Sequence, residues 1–152
     1  MISESENGPQ ETSQEHLAFS FKARTGKRTL IFGHRGGFFG PENSMKGFRG
    51  AVEHNLEGIE FDVWLSRDNV PMVLHGGSDG QLSLYGLDEE RVFKWTKEEL
   101  QTRIDLDDGE RIPTLEDVIV LCQERPHMML NIELKGPIDP AWIEVYDFSL
   151  AA

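Results

Sequence analysis

Apolar and polar positions alternate strictly along GIEFDVWL (residues 58–65), with Ile59, Phe61 and Val63 on one side and Glu60, Asp62 and Trp64 on the other. A period of two marks a β-strand, here with two carboxylates on one face. HMMLNIELK (127–135) repeats the layout, setting Asn131, Glu133 and Lys135 opposite Leu130, Ile132 and Leu134. The apolar run RTLIFG (28–33) ends in glycines and reads as a buried strand that stops at a loop beginning at His34. Pro41, Glu42 and Asn43 then open a helix whose Met45, Phe48, Ala51 and Val52 share one face and which ends near Asn55. After a turn at 66–69, VPMVLH (70–75) is the next strand. A parallel pair needs a crossover of about a dozen residues, so this connection is a hairpin. Folded about Asp68 and Asn69, it sets His75 level with Asp62 and brings a base beside the carboxylates.

Residues 76–109 are polar and irregular, with one clear helix start where Thr96 and Glu99 have capping-box spacing. They read as a subdomain inserted at the mouth of the fold. Thr114 caps a further helix whose buried stripe is Leu115, Val118, Ile119 and Cys122, and Pro126 ends it. Strands alternating with helices predict an α/β fold. Polar residues at strand C-termini are where parallel barrels build their active sites.

The 152 residues suit a single domain, and the formal charge of −12 repels a polyanion, so nucleic acid is excluded as a partner. A small anion is still admissible where Arg, Lys and a metal ion dominate one pocket. Cys122 is the single cysteine and reads as a buried thiol, without disulfide or catalytic chemistry. No apolar run reaches the roughly 20 residues of a membrane span and no secretory pattern opens the chain, so a cytoplasmic location is expected. Residues 1–28 have the composition of a disordered polar leader, within which Leu17, Phe19 and Phe21 alternate.

Glu60, Asp62 and Glu133 supply three hard oxygen ligands of the kind Mg²⁺ or Ca²⁺ takes, and nothing in the sequence suggests zinc. His34 and His75 each end an apolar strand and titrate near neutrality, which suits an acid/base pair for phosphodiester cleavage. His16, His54 and His127 carry no such context. Arg35 can grip two phosphate oxygens, while Gly36 and Gly37 let backbone N–H groups approach the same anion. Lys135 either neutralises phosphate charge or salt-bridges Glu133.

GHRGGFFGPENSMKGF, GIEFDVWLSRDNVPMVLH, RIPTLEDV and LNIELKGP, in this order, resemble the signature of the glycerophosphodiester phosphodiesterase family. The resemblance implies a (β/α)₈ TIM-type barrel that hydrolyses glycerophosphodiesters to glycerol 3-phosphate and an alcohol with a divalent cation. By motif position it implies an acid/base pair at His34 and His75, metal carboxylates at Glu60, Asp62 and Glu133, and phosphate contacts at Arg35 and Lys135. One histidine would activate the glycerol hydroxyl for in-line attack, giving a cyclic phosphate that water opens. Which histidine is base stays open. A phospholipase C-like lyase also pairs two histidines, but the three-carboxylate set argues against it.

Two departures from the family pattern carry expectations. Its second histidine is usually followed by Asp, whereas Gly76, Gly77 and Ser78 follow His75, leaving a partner for that histidine missing or supplied by Asp79. The match runs over 29–137 and stops, while closed barrels take about 250 residues. Only about the first half of the barrel is therefore expected, C-terminally truncated, with 138–152 as a divergent tail. Open strand edges predict self-association, and weak activity or a role as a non-catalytic binding fragment.

Overall fold

The computed structural model describes residues 29–143. The expected leader (1–28) and residues 144–152 of the expected tail lie outside the described residues. In chain order the elements are β1 (Phe32–His34), α1 (Met45–Glu53), β2 (Gly58–Leu65), β3 (Pro71–Val73), β4 (Gln81–Leu82), β5 (Leu87–Arg91), α2 (Lys97–Arg103), α3 (Leu115–Gln123), β6 (Met129–Leu134) and α4 (Pro140–Ile143). β2 is the centre of the main sheet, parallel to β1 in the register His34↔Glu60 and parallel to β6 in the register Asp62↔Glu133. Connections through helices join these three strands, as parallel pairing requires.

The hairpin from β2 to β3 is antiparallel, as expected, but its register differs by one residue. Val63 pairs with Val73, so His75 falls opposite Phe61 rather than Asp62. The cause is the loop: Ser66 N–H donates to the Val70 carbonyl around three intervening residues, and Asn69 takes a left-handed φ of 60°. Three-residue loops of this kind end in a left-handed residue, which Asn tolerates.

Ser44 caps α1, its hydroxyl accepting from Gly47 N–H, so the helix begins later than Pro41. Thr96 and Thr114 cap α2 and α3 with full capping boxes, closed by Glu99 and Asp117. Phe48, Ala51, Ile59, Phe61, Val63, Val73, Val118 and Cys122 form a core between sheet and helices, with the Phe48 and Phe61 rings edge to face at 5.6 Å. Ile119, expected in the buried stripe of α3, is exposed. Leu115, Val118 and Cys122, at spacings of three and four, already fill the inward face.

Residues 76–109 carry the short β4–β5 ribbon and α2, and they bury Leu82, Val92, Phe93, Trp95, Leu100 and Ile104 against Trp64, Met72 and Leu74. This second core fixes the segment over the ends of β2 and β3, beside the polar face of the sheet.

Candidate active site

Period-two alternation turns Glu60 and Asp62 to the same face of β2, and the Asp62↔Glu133 register sets the β6 carboxylate beside them. One oxygen from each of Glu60, Asp62 and Glu133 lies within 4.8 Å of the others. Asp62 is fully buried and Glu133 exposed. Three convergent hard oxygens fit a divalent cation such as Mg²⁺ or Ca²⁺. Two side-chain cations also face the carboxylates. Lys135 Nζ lies 3.2 Å from Asp62 Oδ1 and 2.5 Å from Glu133 Oε1, and Arg35 Nε lies 3.3 Å from Asp62 Oδ2. The salt bridge to Glu133 expected as one role of Lys135 is thus formed.

Arg35 also donates to Glu42 at 2.7 Å, and its backbone N–H donates to Glu60 Oε2 at 3.0 Å. Burial works against the charge on both cations. For Arg35, Glu42, Asp62 and Glu60 outweigh it, and for Lys135, Glu133 and Asp62 do, so both pKa values stand above their ordinary ones. His34, at the end of β1, is largely exposed, with Nε2 3.7 Å from Glu60 Oε2. His75 lines a cleft of about 320 Å³ with Trp64, Gly76, Asp79 and Lys135. The structure therefore gathers Arg35, Lys135, His34 and the three carboxylates directly and reaches His75 through the cleft it shares with Lys135.

Asp79 does not serve His75. Its carboxylate accepts from the backbone N–H groups of Ile138 and Asp139 at 2.6 and 2.8 Å, tying the segment after β6 to residues 76–80. His75 Nδ1 is buried without a hydrogen-bond partner among the described residues.

Three contributors escaped the sequence reading. Asn43 is buried at a φ of 56°, and its amide donates to Asp62 Oδ2 at 3.0 Å while its carbonyl accepts from Asp62 N–H at 3.4 Å. Read as a helix opener, it instead orients the central carboxylate; its place beside a serine cap was the available signal. Trp64 shares the polar face of β2, and its indole N–H donates to the His75 carbonyl at 2.9 Å. Tyr85 comes from the inserted segment, which no pattern connects to the site. Burial, reinforced by Glu42 and Asp62, pushes its phenol up to about 12.

The model of the glycerophosphoryl diester phosphodiesterase family matches residues 34–146. A glycerophosphodiester phosphodiesterase of Bacillus altitudinis is 37% identical over 118 residues, covering 72% of this chain and 46% of that protein. The crystal structure of a glycerophosphodiester phosphodiesterase from Parabacteroides distasonis is 30% identical with a TM-score of 0.58, covering 74% of this chain and 44% of the other. A phosphodiesterase of Oleispira antarctica, solved in complex with the product sn-glycerol-3-phosphate, is 30% identical with a TM-score of 0.59, covering 71% and 45%. The chain spans about half the length of these relatives. Its fold is the α/β fold of their TIM barrels, present in part, and the chain belongs to the glycerophosphoryl diester phosphodiesterase family.

Proposed function

We propose that this chain carries the catalytic centre for hydrolysis of glycerophosphodiesters to glycerol 3-phosphate and an alcohol. The observation that carries the reading is the convergence of Glu60, Asp62 and Glu133 within 4.8 Å, flanked by Arg35, Lys135 and His34. Glu60, Asp62 and Glu133 hold Mg²⁺ or Ca²⁺, which when bound supplies Lewis-acid polarisation of a phosphoryl oxygen. Arg35 and Lys135 bind the remaining phosphate oxygens and stabilise the charge that develops during displacement. His34 and His75 divide the proton transfers: one takes the proton of the glycerol hydroxyl next to the phosphoester, the other protonates the leaving alcohol. Water then opens the cyclic phosphate. Small glycerophosphodiesters are the substrate class, supported by the product bound to the Oleispira relative.

The test is release of glycerol 3-phosphate from glycerophosphocholine by the full 152-residue chain. It is run with Mg²⁺ or Ca²⁺, with EDTA, and with Glu60→Gln. Release that needs the cation and is lost in the variant supports the reading; release untouched by EDTA and by Glu60→Gln refutes it, and accumulation of the cyclic phosphate alone points to a lyase.

A second reading is a non-catalytic fragment that associates through its open sheet. Leu30, Phe32, Met129, Ile132 and Leu134 are exposed on β1, β6 and their approaches. Exposed apolar side chains beside strand edges left unpaired among the described residues favour association. A monomer at high concentration in sedimentation would overturn this reading.

A further inference from the structure

The His75 ring has its Nδ1 buried without a hydrogen-bond partner among the described residues, and the residue after it is glycine. Its backbone, by contrast, is held from β2. The Trp64 indole N–H donates to the His75 carbonyl at 2.9 Å. Trp64 is 2% exposed and stands on β2 two residues beyond Asp62, so the donor is rigidly placed relative to the carboxylate cluster.

The glycines are explained by the same tryptophan. Gly76 has a φ of +60°, and a Cβ there would lie 2.9 Å from Trp64 Nε1. Gly80, at +72°, packs against the other end of the indole, where a Cβ would stand 3.1 Å from Cζ3. The 76–80 loop is thus wrapped on the indole and closed by hydrogen bonds from Gly77 N–H to the Gln81 carbonyl and from Gly80 N–H to the Gly77 carbonyl. Trp64 and a side chain at position 76 exclude one another, and this chain has the tryptophan.

We propose that Trp64 is a positioning residue that clamps the backbone of His75 and so aims its imidazole. The inference rests on the proposed acid/base role of His75. A ring aimed through its backbone is displaced when the clamp is loosened, and misplacement by about 1 Å costs on the order of 10²-fold in rate.

Trp64→Phe keeps an aromatic ring and removes the indole N–H; Gly76→Ala keeps the indole and sets a Cβ 2.9 Å from its Nε1. In the full chain, the His75 imidazole is followed by long-range ¹H–¹⁵N correlation, and kcat and KM by glycerol 3-phosphate release. The expected result is a shifted or broadened His75 ring signal in each variant with the His34 signal unmoved, and kcat lowered about ten-fold with KM little changed. Gly76→Asp in the presence of Trp64 lowers kcat further. An unmoved His75 signal in both variants overturns the clamp, as does a loss that falls on KM alone. If the unsubstituted chain releases no product, the functional reading fails separately and the ring signals decide the clamp.

Discussion

Replacing Asn43 tests how the central carboxylate is held. Its side chain makes two hydrogen bonds with Asp62, one to the buried carboxylate at 3.0 Å, and its backbone sits at a φ of 56°. Asn43→Ala removes a bond to a charged group, worth about 2 kcal/mol. It also places a Cβ residue without a compensating side chain in the left-handed region, costing roughly 1–2 kcal/mol more. The expected total is about 3–4 kcal/mol. Asn43→Gly loses the same hydrogen bonds without backbone strain, set against about 0.5–1 kcal/mol of extra unfolded-state entropy. The glycine variant therefore stands above the alanine variant by about 1 kcal/mol, although both have lost the amide. Urea unfolding followed by tryptophan fluorescence measures both. Equal stabilities, or alanine above glycine, would refute the strain argument; losses under about 1 kcal/mol in both would show that Asp62 is held by Arg35 and Lys135 alone.

Two further outcomes follow from local geometry. The Asp68 carboxylate, opposed by its own burial, is held below its usual pKa by the Ser66 hydroxyl and the Lys97 N–H. A depressed folded pKa gives stability that is present above the unfolded value, near 3.8, and lost as pH falls through the folded one. Asp68→Asn should flatten the acid limb of a stability-versus-pH curve below about pH 4; an unchanged limb would sink the assignment. Gly50→Ala should destabilise even though helix propensity alone favours alanine by about 1 kcal/mol. The new Cβ would fall 2.2 Å from the Phe39 Cβ, and a raised melting temperature would refute that contact.

What the sequence determined by itself is what local pattern encodes. Strict alternation in 58–65 located β2 and the shared face of Glu60 and Asp62, and the same alternation set Glu133, on β6, and Lys135, just beyond its end, on one side. Threonine caps located α2 and α3 because their hydrogen bonds span only three residues. The ordered motifs pointed to the family that the comparisons bear out. Tertiary structure decided how separate pieces meet. The one-residue shift of the hairpin came from a left-handed Asn69, a backbone choice that the 66–69 turn sequence permits without dictating. Asn43, Trp64 and Tyr85 joined the site across sequence separations that leave no periodic trace: 19 residues from Asn43 to Asp62, 11 from Trp64 to His75. The redirection of Asp79 to the backbone of Ile138 and Asp139 spans about 60 residues and depends on where the chain returns after β6. Period and capping are short-range properties of a chain, whereas the partner of a buried polar group is set by which strands lie side by side.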